Sequence, residues 1–350
     1  YCKEDLYKDN TCKESQKDIM VVWEKKYCNR NNNINYSRKR FRVYRRVYFT
    51  DVSFLSAFMN NKLQFNVSSG QRLIAFVCVC VLFFILGSVI TGVISYGGVT
   101  AARLRIATVV QDVMLFIMPA VVTAVVISRR PADFLMVGKA PSLLVCMLTV
   151  AVVIASIPAM NLLVKWNMSM SLPDSMTALE AWMRSSEKAA QEFTEMLIGG
   201  TGVKNLIVAL LIVGVLAAFS EELFFRGSLQ RVLLTCGMNV HVAVWVTAFI
   251  FSAVHMQFFG FIPRLVLGAG FGYIVVWSGN VWLGVLAHFT DNAIAAVGIT
   301  VARTNRIIGS ACQECSDITS NEVVLAFVSA AVVSVLLVLL RKALNQTSCG

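Results

Sequence analysis

Glu221 and Glu222 stand side by side in a stretch that is otherwise apolar, Arg226 follows four residues later, and His255 and His288 lie inside two later apolar stretches. Each ionisable side chain at hydrocarbon depth costs about 2.5 to 3.5 kcal/mol on insertion scales, so a cluster kept at that cost from three stretches marks a candidate active site. Peptide hydrolysis without a Ser or Cys nucleophile needs an activated water, a base beside it, and donors where the carbonyl oxygen gains charge. Glu221, His255, His288 and Asn292 supply that set. Neighbouring helix residues point about 100° apart, so the two glutamates cannot do the same job. Which of them takes which job stays open at this point.

The elements that carry these residues are membrane helices. Of 350 residues, 57% are hydrophobic and only 15% charged, where an average soluble domain is about a quarter charged. Apolar runs near the bilayer-spanning length occur at roughly 74–95, 106–128, 142–163, 203–220, 240–257, 265–278, 281–300 and 322–340. They lack the period-2 alternation of barrel strands, so the expectation is an all-α, polytopic bundle of about eight membrane helices. The stretch 173–200 has an amphipathic helical pattern and is placed at the outer interface. The expected organisation is a basic polar segment at 1–58, helices 1–3 with the interfacial helix at 59–199, a catalytic core at 200–300, and the last helix with its tail at 301–350.

The net charge of +11 gathers at Arg38, Lys39, Arg40, Arg42, Arg45 and Arg46, ahead of the first apolar run. Such a cluster is better read as holding that end in the cytoplasm than as binding nucleic acid. Basic residues at Arg129, Arg130, Lys139, Arg226, Arg231, Arg341 and Lys342 fall on the same side if both termini are cytoplasmic, whereas Arg103, Arg105, Arg303 and Arg306 oppose that count. Residues 1–58 show no signal-peptide pattern, and translation from Met59 is an expectation. Cys78, Cys80 and Cys146 read as packing residues. Cys312 and Cys315 have redox or metal spacing, but a single such pair favours a local disulfide or no role over a zinc site. Gln111 and Asp112 read as partners in a buried hydrogen bond between helices.

One depth argument links the glutamates to a histidine. From the expected turn at Gly237, Glu221 lies 16 residues back and His255 lies 18 forward, or about 24 and 27 Å at 1.5 Å per residue. An antiparallel hairpin would set them level. His288 and Asn292, four apart, share a helical face, although the depth of His288 is only loosely set by counting. His241, beside the turn, is assigned a solvated role. Gly268, Gly270 and Gly272 are expected to let their helix pack closely against neighbours.

Glu221-Glu222-Leu-Phe-Phe-Arg226 fits EExxxR, Phe251-Ser-Ala-Val-His255 fits FxxxH, and His288-Phe-Thr-Asp-Asn292 fits HxxxN. In this order, over about residues 200–300, they resemble the CPBP family of intramembrane proteases: CAAX prenyl protease 2, the Abi proteins and bacteriocin-processing or immunity proteins. The resemblance implies an eight-helix bundle that hydrolyses a peptide bond in a membrane cavity open to the cytoplasm and the lipid. It implies Glu221 as general base, His255 as its partner in activating water, and His288 with Asn292 as the oxyanion site. Glu222 and Arg226 look like an internal ion pair bracing the helix, with Phe251 as structural support.

Metal involvement is open on these residues. Glu221, His255 and His288 resemble the His₂Glu ligand set of a catalytic zinc, yet there is no HExxH, and a ligating Glu221 would leave no obvious base. No cofactor, or zinc, is the expectation, with a metal-free glutamate mechanism preferred. The expected partners are a peptide or protein substrate in or near the cell membrane and the bilayer itself, without nucleic acid. The rival readings are a non-catalytic scaffold or immunity protein of the same fold, and a proton-coupled transporter, for which no inverted repeat is evident.

Overall fold

The computed structural model describes residues 68–96, 98, 100–199, 202–308 and 318–347. The expectations for 1–58, Met59 and the Cys312/Cys315 pair lie outside the described residues. The described chain is helical: α1 (Ser69–Ser95), α2 (Ala101–Ile127), α3 (Leu143–Met168), α4 (Thr177–Ile198), α5 (Val203–Thr235), α6 (Val240–Ala253), α7 (Phe261–Ser278), α8 (Val281–Ile308) and α9 (Ser320–Thr347). Seven are long and apolar enough to cross a bilayer, α6 is a shorter apolar helix, and α4 is amphipathic. The chain is therefore a multi-pass membrane protein of helical-bundle architecture.

Local chemistry sets the ends. Ser68 and Gln71 form a reciprocal capping box at α1, Thr100 accepts from the Arg103 N–H at α2, and Asn239 accepts from the His241 N–H at α6. Pro158 interrupts the bonding of α3, and Ser329 of α9 fills the gap. Its hydroxyl donates to the Ala155 carbonyl at 2.5 Å and accepts from the Ala159 N–H at 3.4 Å. Glu180 in α4 is held below the usual carboxylate range by the Leu172 backbone N–H and by Arg184.

Two packed clusters hold the bundle. Phe76, Ala120, Leu223, Phe225 and Phe251 join α1, α2, α5 and α6, while Val145, Val153, Phe271, Leu283 and Leu340 join α3, α7, α8 and α9. Large apolar side chains such as Phe84 and Val93 on α1 and Phe327 and Val335 on α9 face outward, as a bilayer-facing surface requires.

Three of the arginines that oppose the charge count, Arg103, Arg105 and Arg303, have a structural job. The Arg105 guanidinium donates to the Leu197 and Ile198 carbonyls, and Arg303 donates to the Glu195 and Gly199 carbonyls, so both close the unsatisfied end of α4. Arg103 donates to the Tyr96 and Gly98 carbonyls beyond α1. Their position follows from the carbonyls they serve. Arg226, counted by sequence with the cytoplasmic charges, is instead fully buried and marks neither side.

Candidate active site

Two helices and one turn carry the predicted site residues. In α5 an α-helical turn, Ala217–Glu222, lies between two π-helical segments, Leu210–Leu216 and Leu223–Leu229. Widened turns of this kind are common at functional sites because they re-aim side chains and loosen carbonyls. Glu221 and Glu222 sit at the end of the α-helical turn.

His255 reaches Glu221 from the turn between α6 and α7. The apolar run extends to 257, but the helix stops at Ala253, and Met256, the residue after His255, adopts a left-handed backbone (φ 53°). That conformation is uncommon for a residue with a side chain. The turn is pinned from several sides. Asn167 of α3 donates to the Phe258 carbonyl and accepts from the Ile262 N–H, while Glu187 of α4 accepts from the Phe259 N–H. Trp182 and Phe258 rings lie 5.2 Å apart.

The start of α8 is fixed equally well. Asn280 Nδ2 donates to the Lys139 carbonyl at 2.8 Å, the Val281 N–H to Met136, and the Trp282 Nε1–H to Val137. His288 follows two turns on and Asn292 one turn beyond it, on the same face.

These elements bring the four chemistry-bearing residues together around one cavity of about 340 Å³, which Glu221, His255, His288 and Asn292 all line. Glu221 Oε2 lies 3.9 Å from His255 Nε2 and 4.0 Å from His288 Nε2. This oxygen is buried and has no hydrogen-bond partner. The other ring nitrogen of each histidine is occupied: His255 Nδ1 lies 2.7 Å from the Phe251 carbonyl, and His288 Nδ1 lies 3.0 Å from Glu222 Oε1. The carbonyl can only accept, so His255 donates from Nδ1 and presents a lone pair at Nε2 when neutral. Asn292 Nδ2 donates to the Val213 carbonyl in the first π-helical segment at 2.8 Å, leaving its second amide hydrogen free for the cavity.

Glu222 turns away from the cavity. Its Oε1 takes bonds from Arg226 and His288, and Arg226 Nη2 donates to the Gly268 carbonyl at 2.8 Å. Glu222 and Arg226 are fully buried, and the guanidinium lies over the Phe251 ring at 4.7 Å. The adjacent carboxylates thus have different surroundings, Glu222 bonded on Oε1 and Glu221 on the cavity wall. Phe251 also stacks edge-on against His255 and His288.

Glycines permit this closeness unevenly. A Cβ on Gly284 would sit 2.7 Å from Val275 Cγ2 and 2.8 Å from Glu222 Oε2, so only glycine lets α8 approach α5 here. Gly268 and Gly272 also sit against side chains, as the sequence suggested. Gly270 meets nothing within 4 Å and has no packing role.

Several residues of the cavity were missed from sequence. Arg264, Asp291, Gln257 and, from α4, Thr194 and Ile198 line it. A charged Arg264 at the edge of the 265–278 apolar run was a signal of the same kind as Glu221. Asp112 is buried as expected, but its Oδ2 has no hydrogen-bond partner, so the anticipated bond between helices does not form through that atom. His241, placed in a solvated role, bonds Tyr273 Oη at 2.9 Å.

The donor types at Glu221, His255 and His288 suit zinc, but their spacing does not. Tetrahedral ligands at about 2.1 Å would lie about 3.4 Å from one another, against the 3.9 and 4.0 Å found. Among the described residues no group of three His, Cys, Asp or Glu side chains is arranged to hold a metal. A water molecule spans the gap more naturally, since it bonds both sides at ordinary hydrogen-bond length.

Residues 203–294 match the family model of type II CAAX prenyl endopeptidase Rce1-like proteins. Over 107 residues the chain is 29% identical to the uncharacterized protein YpbD of Bacillus subtilis (strain 168), an overlap of 29% of this chain and 52% of that protein. The chain thus spans about half the length of the curated relative it matches. No solved structure matches it. The stretch similar to type II CAAX prenyl endopeptidase Rce1-like proteins is the one that holds both glutamates, His255, His288 and Asn292.

Proposed function

We propose that this protein is an intramembrane endopeptidase in which Glu221 is the general base. One observation carries the reading: two imidazole nitrogens converge on a buried carboxylate oxygen that has no partner of its own, inside a cavity. A water between Glu221 Oε2 and His255 Nε2 donates one hydrogen to each. As it attacks the scissile carbonyl, its proton passes to the Glu221 carboxylate, and a positioned base of this kind contributes about 10² to 10⁴ in rate. His288 has a carboxylate facing each of its nitrogens, which favours a ring that donates from both. Its Nε2–H and the free amide hydrogen of Asn292 then stabilise the oxyanion. The proton held by Glu221 goes on to the leaving amine, which closes the cycle without a covalent intermediate.

Glu222 and Arg226 act through His288 by fixing its ring, and no step passes through a metal. A scaffold reading predicts polar groups bonded to one another, and a carboxylate on a cavity wall with two imidazole nitrogens about 4 Å away and bonded to neither weighs against it. Substrates are peptides or proteins that reach the cavity in or near the cell membrane.

Both termini are assigned to the cytoplasm, supported by the basic cluster at residues 38–46 and by Arg129, Arg130, Lys139, Arg341 and Lys342. The cavity runs from Glu221 towards Thr194 and Ile198 of α4, so this topology turns its mouth to the outer side. The opening to the cytoplasm that the resemblance implies and the charge-based topology are therefore alternatives, and the topology is kept.

The deciding experiment compares the proteomes of membranes carrying the native protein or its Glu221→Gln variant. Peptide termini that appear only with the native form support the assignment, and identical termini in both reject it.

A further inference from the structure

Arg264 is a cation that the proposed hydrolysis does not use. It lies in the first turn of α7 on the wall of the cavity that holds Glu221 and His288. One nitrogen, Nη2, donates to Gln257 Oε1 at 2.5 Å, and the same nitrogen lies over Gly260, where a Cβ would come within 3.4 Å. The guanidinium is therefore held in place. Its other terminal nitrogen, Nη1, is buried and has no hydrogen-bond partner. Glu187, Glu221 and Asp291 are the acids that act on it electrostatically, yet none forms an ion pair with it among the described residues, and Glu187 is already engaged by the Phe259 N–H. A guanidinium on a cavity wall with one donor unused matches a planar acceptor, and a carboxylate is the acceptor that suits its fork.

We infer that Arg264 forms a carboxylate-binding subsite that anchors the peptide within the cavity, an inference that rests on the proteolytic reading of this site. The volume of about 340 Å³ is at the lower end for small-ligand pockets and suits a short peptide segment. The neighbouring walls, formed by Val213, Leu267, Ala295 and Ile299, are apolar and would take aliphatic side chains. The carboxylate has two possible sources, the free end of the peptide chain or an acidic side chain, and both present the same acceptor to Arg264.

Binding tests the inference without any need for turnover. The Glu221→Gln protein, purified in detergent, is titrated with three probes: Ala-Val-Leu with a free carboxylate, Ala-Val-Leu amide, and N-acetyl-Ala-Glu-Leu amide. The free acid is expected to bind at least tenfold more tightly than the amide. Adding Arg264→Gln should remove that preference, Arg264→Lys should retain part of it, and Asp291→Asn should strengthen acid binding by removing an opposing charge. Side-chain acid binding as tight as the free acid assigns the subsite to any carboxylate, and binding as weak as the amide assigns it to the chain end. Thermal unfolding of each variant shows that the fold persists, and Arg264→Lys carries the test if Arg264→Gln does not fold. Equal binding of acid and amide, binding of neither, or a preference that survives Arg264→Gln overturns the subsite. None of these outcomes bears on the proteomic comparison, so the subsite and the proteolytic reading fail separately.

Discussion

Glu222 Oε1 and His288 share a 3.0 Å hydrogen bond between α5 and α8, while Glu221, one residue earlier on α5, lines the cavity with its Oε2 about 4 Å from His255 and His288. Two chemically identical side chains thus meet different surroundings because the helix aims them about 100° apart. Their substitution should separate function from stability.

Glu221→Gln is expected to lower turnover by about 10² to 10⁴ while leaving the thermal midpoint nearly unchanged, because no bond to Oε2 is lost. Kinetics on a substrate found by the proteomic comparison, paired with unfolding in detergent, reads both. A large loss of stability with turnover intact would refute the base assignment.

Glu222→Gln should behave in the opposite sense. It removes the charge that neutralises a fully buried Arg226 and should cost about 3 to 5 kcal/mol of stability, since an unpaired buried charge remains. Denaturant-induced unfolding reports the loss, and a variant as stable as the parent would contradict the pairing.

Asn292→Ala is expected to reduce turnover by about 10² to 10³, the usual cost of losing one oxyanion donor. Part of the effect would come from releasing the Val213 carbonyl. An unchanged rate would remove Asn292 from the oxyanion site.

Glycine positions offer a paired test of packing. Gly284→Ala drives a methyl group into Val275 and Glu222 and should impair folding, whereas Gly270→Ala meets nothing within 4 Å and should be neutral. Expression level and thermal midpoint of the two variants provide the comparison.

Elemental analysis should find less than stoichiometric zinc in active protein, with activity retained in a chelator. Stoichiometric zinc whose removal abolishes cleavage would replace the water-only mechanism with a metal-assisted one.

Much of this arrangement could be read from the chain because its physics is periodic. The level placement of Glu221 and His255 needed only the rise per residue and the turn after Thr235, and the two come within 3.9 Å of each other. The one-face spacing of His288 and Asn292 needed only the helical repeat. What stayed hidden depends on distant partners. Nothing local announces that α6 stops at Ala253, because the turn is secured by Asn167 and Glu187 from α3 and α4. The π-helical segments of α5 follow no propensity rule. Arg105 and Arg303 oppose the charge count, and the carbonyls they cap lie 92 to 108 residues away in sequence, beyond any local pattern.

Glu222 Oε1 accepts at once from Arg226 on its own helix and from His288 on α8, and Gly284 draws the two backbones together at the same level. The seam between α5 and α8 is therefore stitched shut at the depth of the chemistry. On the proteolytic reading, substrate and product pass on the other side, where α4 and the α6–α7 turn wall the cavity. Slow release of product, if it governs turnover, would be governed there.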